Sequence, residues 1–253
     1  SDIPSGLKAI QVAAGFQHNL AITPDGDVVA WGRDDYGQVS GIPDGLKAVQ
    51  IAAGYYHSLA ITPDGDVVVW GQDDYGQVSG IPSGLKAGQI AAGCHHNLAI
   101  TPDGDVVAWG WNNYGQVSDI PDGLKAIQVA GGAYHSLAIT PDRDVVAWGS
   151  DEYGEVSDIP SGLKAIQVAA GFQHSLALTP DGDVVAWGQD DYGQVSGIPD
   201  IPDSLKAIQV AGGAYHSLAL HSSYSYEPVN INPFSDITNL QFYDNNLNIL
   251  NHE

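Results

Sequence analysis

What is scarce in this sequence excludes several classes of protein. Cys94 is the only cysteine, so no intrachain disulfide can form, and the redox compartment is left open. No apolar run approaches the roughly 18 residues of a membrane-spanning helix, and the first residues carry neither a basic region nor an apolar signal core. We expect a soluble chain without a membrane partner, and a secreted or cell-surface location stays open.

Basic residues are also scarce. Eight Lys and Arg stand against 30 Asp and Glu, which gives a formal net charge of -22 at pH 7. Such a surface repels nucleic-acid phosphates and anionic lipid, so we expect no nucleic-acid partner. Solubility is the simplest reason for so acidic a surface, and a bound cation or a basic protein partner is the alternative.

Repetition dominates the first 220 residues. One Trp and one His recur every 39 residues, as Trp31, Trp70, Trp109, Trp148 and Trp187 and as His18, His57, His96, His135 and His174. His216 follows 42 residues after His174, because residues 201–203 duplicate an Ile-Pro-Asp loop. A period near 40 residues is the size of one blade of a β-propeller.

The pattern inside one copy predicts an all-β fold. Residues 9–14, 18–23 and 28–32 are short apolar runs with β-forming residues, and an Asp-Gly turn joins the last two runs. A short fourth strand is predicted near residues 38–39. A stacked solenoid is the competing fold, but the hairpins and the single Trp per copy favour a β-propeller, whose radial closure protects the sheet edges.

The copy number leaves the closure of the ring open. Residues 1–220 contain six copies of the His-bearing half but only five of the Trp-bearing half, and residues 221–253 form an Asn-rich tail without Gly or Lys. Leu240 and Phe242 alternate, as do Leu247 and Ile249, which indicates a weak hairpin. We predict that this tail closes the last blade of a six-bladed ring, and a seven-bladed or incomplete ring is the alternative.

The repeated polar residues do not predict an enzyme. A His that recurs once per blade lies at equivalent, well-separated positions, whereas chemistry and metal binding need one asymmetric cluster. We expect each imidazole to bond a loop carbonyl. The acidic turns lack the spacing of an EF-hand, and Cys94-His95-His96 has no evident third or fourth zinc ligand. We therefore expect no catalytic residue, no metal and no cofactor.

The candidate site consists of positions at which the copies differ. These positions precede each repeat His or follow the Trp-Gly pair in the third copy, and they are rich in aromatic residues, which anchor protein interfaces. A protein is the expected partner. Alternatives are a glycan stacked on repeated aromatics, a structural module of a larger surface protein, or simple coverage of the blade ends. The candidate partner-binding residues are Phe16, Gln17, Tyr55, Tyr56, His95, Trp111, Asn112, Asn113, Tyr134, Phe172, Gln173 and Tyr215.

The consensus VAAGxxHSLAIT-PDGDVVAWG-xxxYGQVS resembles the regulator-of-chromosome-condensation repeat family over residues 7–220. The resemblance implies a propeller, commonly with seven blades, and it says less about function. In the first copy the matching residues are Gly15, His18, Leu20, Trp31, Gly32, Gly37 and Gln38.

Unit length distinguishes branches of that family. The exchange factor of a small nuclear GTPase has longer units and an inserted β-wedge, so we expect no exchange activity here. The compact units are more similar to the secreted, propeller-type bacterial β-lactamase inhibitory proteins. That likeness implies an inhibitor-like binding face, although the missing seventh unit and the tail depart from it. The residues it marks are Phe16, Tyr55, Tyr56, His95, Tyr134, Phe172 and Tyr215.

Overall fold

The structure, a computed structural model, describes residues 3–199 and 206–221 and the backbone of residues 222 and 240–242. In these ranges all regular secondary structure is β, and no helix is long and apolar enough to cross a membrane. The strands are β1 (Gln11–Ala14), β2 (His18–Ile22), β3 (Val28–Gly32), β4 (Gln50–Ala53), β5 (His57–Ile61), β6 (Val67–Gly71), β7 (Gln89–Ala92), β8 (His96–Ile100), β9 (Val106–Gly110), β10 (Gln128–Gly131), β11 (His135–Ile139), β12 (Val145–Gly149), β13 (Gln167–Ala170), β14 (His174–Leu178), β15 (Val184–Gly188), β16 (Ala207–Gly212), β17 (Ser217–Ser222) and β18 (Leu240–Phe242).

Each unit forms one antiparallel three-stranded sheet with its strands in sequence order. In the first sheet, His18 lies opposite Gly32 and Ile22 lies opposite Val28. The turn between these strands is closed by the bond from the Gly26 N–H to the Thr23 carbonyl, 2.9 Å. Gly26 has φ of 82°, a conformation that favours glycine. The three strands predicted for each unit are therefore present.

The predicted fourth strand near residues 38–39 is wrong, because these residues form a turn. The Asp34 carboxylate accepts the N–H groups of Val39 and Ser40 at 2.8 and 2.9 Å, and the Gln38 side-chain oxygen accepts the Tyr36 N–H. These donors are therefore engaged locally and cannot join a strand ladder.

The hydrophobic core lies between sheets rather than within one sheet. Leu137 and Ile139 of β11 pack against Val168 of β13 and Trp187 of β15, and the other clusters follow the same scheme. Trp187 also donates its indole N–H to the Glu155 carbonyl of the preceding unit, at 2.9 Å. Five such clusters connect the six sheets of the described chain. A unit thus completes its neighbour's core, as expected of a repeat protein.

The first strands of the sheets surround a common central cavity of about 570 Å³. Its walls are mostly Ala and Gly, such as Ala14, Gly54 and Gly132, and every one of the six sheets contributes to them. Sheets arranged around a shared axis, each packed on the next, are the arrangement of a propeller.

The described residues leave the ring open between the sixth and first sheets. Val12 of β1 is 68% exposed, whereas its equivalents in the other five sheets are 2–3% exposed. Leu218 of β17 is 40% exposed, although its equivalents are fully buried. Six sheets therefore share five junctions, and closure of a six-bladed ring stays a prediction.

One short segment of the Asn-rich tail belongs to the sixth sheet. β18 pairs antiparallel with β17, with Phe242 opposite Leu220 and Leu240 opposite Ser222. Residues 221 and 222 end β17, and the other residues of the tail, including Leu247 and Ile249, lie outside the described residues. The boundary at residues 220–221 and the role of the tail in closing the ring stay predictions.

Candidate partner-binding face

Two loops of each of the first five units lie at the same edge of the sheet. The chain reaches this edge at the end of the first strand, leaves along the second and returns along the third, because the strands are antiparallel. In the first unit, residues 15–17 and 33–35 therefore lie together, and the turn at residues 24–27 lies at the opposite edge. The loops in which the copies differ are thus gathered on one face.

Aromatic rings on this face form a continuous series across all six units, here called the aromatic belt. Centroids of contacting rings are 4.0–6.2 Å apart, in stacked, tilted and edge-to-face pairs, which are favourable geometries. The belt consists of Phe16, Tyr36, Tyr55, Tyr56, Tyr75, His95, Trp111, Tyr114, Tyr134, Phe172, Tyr192 and Tyr215.

Eight of the twelve residues predicted from sequence are members of the belt. Trp111 is central to it, because its ring contacts Tyr75, His95, Tyr114 and Tyr134. This position and the residues before each repeat His were predicted because they differ between copies.

Four members of the belt were missed. Tyr36, Tyr75, Tyr114 and Tyr192 belong to the repeated Tyr-Gly pair, which does not vary and therefore gave no contrast between copies. Each is 44–65% exposed and contacts a predicted residue. A large aromatic residue that directly precedes a turn glycine in an exposed loop is the signal that could have found them.

The four predicted polar residues do not share one environment. The Gln17 and Gln173 carbonyls accept the N–H groups of the residues that follow the Trp-Gly pairs, at 2.7 and 2.8 Å. Asn112 accepts two N–H groups of its own turn at 2.9 and 3.0 Å, in the place that Asp34 occupies in the first unit. Asn113 is exposed. Asn112 therefore shapes the loop and does not lie in the belt.

Acidic side chains accompany the belt. In four of the first five units, an aspartate at the second position after the Trp-Gly pair caps the turn. Burial acts to raise the pKa of Asp34, but hydrogen bonds from Ser40 and Val39 outweigh it, so the pKa is lowered. The second acid is exposed, and where its partner is glutamine, as in Asp74 with Gln72, it accepts the amide at 2.6 Å. The acids are Asp34, Asp35, Asp73, Asp74, Asp151, Glu152, Asp190 and Asp191.

Arg33 is the one basic residue among the three residues that follow each Trp-Gly pair. Its guanidinium carbon lies 5.5 Å from the ring centroid of Tyr56, and its Nε donates to the Asp35 carboxylate at 2.5 Å. Its Nη1 donates to the Gln17 side-chain oxygen. The guanidinium thus lies over an aromatic ring beside a carboxylate, which is a cation–π geometry.

The repeat histidines join neighbouring units and do not belong to the belt. His18 Nε2 lies 2.9 Å from the hydroxyl of Ser58, which itself donates to the Gln38 carbonyl at 3.2 Å. The imidazole therefore donates, and its Nδ1, which has no hydrogen-bond partner, carries no proton. Contrary to the sequence analysis, the direct partner is a side chain of the next unit, and only that side chain reaches the loop carbonyl.

Burial keeps these imidazoles neutral. Desolvation lowers the pKa of His18, His57 and His174 to about 4 and that of His96 and His135 to about 3.

The glycine that precedes each repeat His makes room for the imidazole ring. A Cβ at Gly54 would lie 2.2 Å from His57 Cε1 and 2.6 Å from the Gly93 carbonyl of the next unit. The Gly-x-x-His pattern is therefore a packing requirement at the junction between units.

The lone cysteine is not a reactive thiol. Burial raises the pKa of Cys94 to about 12, so it is protonated at neutral pH. Its backbone links the third unit to its neighbours: the carbonyl accepts the Tyr55 N–H, and the N–H donates to the Gly132 carbonyl, both at 3.1 Å. Within the described ranges no group of three or more His, Cys, Asp and Glu side chains could hold a metal ion.

The sheets, their shared axis and the inter-unit cores define a repeat protein of the propeller class. A profile of the regulator of chromosome condensation (RCC1) repeat matches residues 9–38, 48–77, 89–116, 126–155 and 165–194. The chain belongs to this family. No match is found among curated protein sequences.

Solved structures of the same class are similar to this chain. Prp20p from Saccharomyces cerevisiae superposes with a TM-score of 0.72 at 22% identity, over 87% of this chain and 70% of that one. Human WBSCR16 gives 0.71 at 23% identity, over 85% and 72%. The CRINKLY WD40 ectodomain of the Arabidopsis thaliana receptor kinase ACR4 gives 0.69 at 21% identity, over 89% and 81%. These likenesses show the propeller fold.

Proposed function

We propose that this chain is a non-catalytic scaffold that binds a protein partner through the aromatic belt. The observation that carries the proposal is the continuity of the belt: twelve contacting rings cross all six units on one face. Phe16, Tyr75 and Tyr192 in this belt are 47%, 49% and 65% exposed. Exposed aromatic residues of this kind are the usual anchors of protein interfaces.

Structural relatives support a protein partner. Prp20p has been described with its binding properties to Gsp1p and histones, and yeast RCC1 (Prp20) has been solved bound to Kap60. These partners belong to those proteins. For this chain they favour a protein over a small molecule as the class of partner, and they say nothing of its identity.

The absence of catalysis is part of the proposal. The repeat histidines are buried, neutral and hydrogen bonded across junctions, and Cys94 is protonated. The 39-residue units also leave no room for an inserted element of the kind that serves nucleotide exchange in this family. The residues of the face therefore suit contact better than chemistry.

This face would bind its partner as a rigid surface. Backbone bonds between neighbouring units hold its loops in place, for example from the Phe16 N–H to the Gly54 carbonyl and from the Ala133 N–H to the Phe172 carbonyl. Loops fixed before binding lose little conformational entropy on association. A ring of this kind would act by covering the partner's surface, as an inhibitor does.

The continuity of the belt favours one extended partner over a glycan. Repeated glycan binding would need a separate, equivalent pocket in each unit. Here the six units carry four different residue pairs before the repeat His, so the units are not equivalent, and the rings form one contacting series. We therefore retain a protein as the proposed partner.

Alanine substitution in the belt tests this function. With a partner captured from the source organism, Trp111→Ala is expected to weaken binding at least about 30-fold, because an anchor residue contributes about 2 kcal/mol or more. Tyr153→Ala is the matched control, since Tyr153 occupies the same repeat position as Tyr75 but contacts no ring of the belt. Affinities of Trp111→Ala and Tyr75→Ala equal to that of the unchanged chain would contradict the proposal.

A further inference from the structure

We propose that the partner presents a basic peptide segment to the aromatic belt, with arginine or lysine side chains over the rings and against the neighbouring carboxylates. This inference rests on the proposed function, because it names the chemistry of the partner that the same face would bind.

The charge of the face is strongly one-sided. The three residues after each of the five Trp-Gly pairs (33–35, 72–74, 111–113, 150–152 and 189–191) together carry eight acidic side chains and one basic side chain, Arg33. The lysines do not compensate for this charge, because Lys47, Lys125 and Lys164 pair with Asp27, Asp105 and Asp144 at the opposite edge of the sheets, at 2.6 Å in each case. A negative potential therefore accompanies the belt along its length, and a basic segment complements it.

Carboxylates lie close enough to the rings to act together with them. Burial lowers the pKa of His95, and the charge of Asp74 acts in the opposite direction. Burial raises the pKa of Tyr134, and the charge of Glu152 contributes in the same direction. The electron-rich face of a Tyr or Trp ring attracts a cation, and an adjacent carboxylate strengthens this attraction.

Arg33 shows how the belt accommodates a guanidinium. It lies 5.5 Å from the Tyr56 centroid, donates to Asp35 and bonds the side chain of Gln17. One cation therefore contacts a ring, a carboxylate and a neutral acceptor, all of which are supplied by loops of this face.

The second, fourth and fifth units carry acids near the belt and no cation of their own in these loops. The positions equivalent to Arg33 are Gln72, Trp111, Ser150 and Gln189, all of them uncharged. Asp74, Glu152 and Asp191 nevertheless remain exposed beside the belt. In the second and fifth units the exposed carboxylate accepts the side-chain amide of Gln72 or Gln189, at 2.6 and 2.8 Å, so a neutral donor stands where Arg33 stands in the first unit, and a cation of the partner would replace it.

Trp111 indicates how the segment is centred. Its loop carries two asparagines in place of two acids, and acidic pairs stand in the loops on both sides, Asp73-Asp74 and Asp151-Glu152. The indole contacts rings of both neighbouring units. The best-fitting segment would therefore place an apolar or arginine side chain on Trp111 and cations toward both flanks.

The test uses three labelled peptides with the same Gly-Ser backbone, carrying four arginines, four citrullines or four glutamates. Citrulline keeps the shape of arginine but not its charge. By fluorescence anisotropy with the full chain, the arginine peptide should bind, the citrulline peptide should bind at least about 10-fold more weakly and the glutamate peptide should not bind. Binding of the arginine peptide should also weaken steeply between about 50 and 200 mM salt.

Matched variants separate the face from the net charge of the chain. The double variant Asp74→Asn/Glu152→Gln removes two charges beside the belt, and Asp64→Asn/Asp103→Asn removes two exposed charges at the opposite edge. Only the first should weaken the arginine peptide, by about 10-fold or more, and Trp111→Ala should do so as well. Equal affinities for both double variants would overturn the inference, because attraction would then follow net charge alone.

The outcomes also distinguish this inference from the proposed function. If no arginine peptide binds while Trp111→Ala still abolishes binding of the captured partner, the basic segment is refuted and the protein-binding face stands. If Trp111→Ala affects neither the peptide nor the captured partner, both proposals fail.

Discussion

The junction between the fourth and fifth sheets and the free side of the first sheet have the same repeat sequence and opposite environments. Val168 is 2% exposed at the junction, and its equivalent Val12 is 68% exposed. Trp187 is buried and bonds the preceding unit, whereas Trp31 is only half-buried. A residue at this position of the repeat is therefore buried by the neighbouring unit and not by its own sheet.

Side-chain hydrogen bonds also differ between a junction and the end of the series of sheets. The Gln128 side chain accepts the Val168 N–H at 2.8 Å and donates to the Val168 carbonyl at 3.3 Å. The equivalent Gln209 of the sixth sheet is exposed, and its side chain has no such partner among the described residues. Each junction therefore combines a hydrophobic core with a reciprocal amide contact, and the described chain has five of them.

The largest effect is expected for a charge placed inside a junction. Val129→Asp should lower the free energy of unfolding by about 3–5 kcal/mol, because it buries an unpaired carboxylate. Val12→Asp, the matched substitution at the free side, should change the free energy of unfolding by less than about 0.5 kcal/mol. Urea denaturation of both variants at pH 7 measures the difference.

An equal loss of the free energy of unfolding in Val129→Asp and Val12→Asp would contradict the difference between the junction and the first sheet. Val12 would then be covered in solution, as the predicted closure of the ring by the tail requires. A repeat of the Val12→Asp measurement in a chain that ends at residue 222 would show whether the tail provides that cover.

Acid should act on the junctions through their histidines. The pKa of His135 is about 3 in the folded chain and ordinarily about 6.5 in an unfolded one, so the unfolded state binds the proton first as the pH falls. The contribution of the neutral His135 side chain to the free energy of unfolding is therefore complete above pH 6.5 and is lost as the pH falls toward 3. Each such histidine contributes a slope of at most about 1.4 kcal/mol per pH unit.

Urea midpoints between pH 7 and 4.5 measure this effect. Asp34 and the other capping carboxylates are ionised throughout that range, because their pKa is lowered from 3.8. His135→Gln should lower stability at pH 7 and make its pH dependence shallower. A free energy of unfolding that stays constant from pH 7 to 4.5 would show that the imidazoles are not held neutral by burial.

A smaller effect is expected for the amide contact. Gln128→Ala should cost about 1–2 kcal/mol, since it removes two hydrogen bonds and leaves two partly buried backbone groups of Val168 unpaired. Gln209→Ala should be nearly neutral. Thermal unfolding of the two variants beside the unchanged chain gives the comparison, and a loss in Gln209→Ala as large as in Gln128→Ala would again indicate a covered end.

Several features of the fold followed from local sequence. The apolar runs and the Asp-Gly turn predicted the three strands of each unit, because strand formation and tight turns depend on residues close in the chain. The fourth strand was wrong because a side chain, Asp34, took the N–H groups of Val39 and Ser40. A competing side-chain acceptor is hard to read from an apolar pattern.

The candidate face was predictable in part for a related reason. Variation between copies pointed to Phe16, Tyr55 and Trp111, and the antiparallel hairpins place their loops at one edge. Variation between copies could not indicate Tyr36 or Tyr75, because the Tyr at this position does not vary. It did indicate Asn112, whose side chain caps a turn and does not lie in the belt.

The sequence by itself determined the repeating unit, its strands and turns, and the family to which the chain belongs. Only the tertiary structure decided which copies are buried, because Val12 and Val168 have the same neighbours in sequence and differ in the sheet packed against them. It also joined rings from loops of six units into one belt, since contacts between residues about 40 positions apart depend on the packing of one unit on the next.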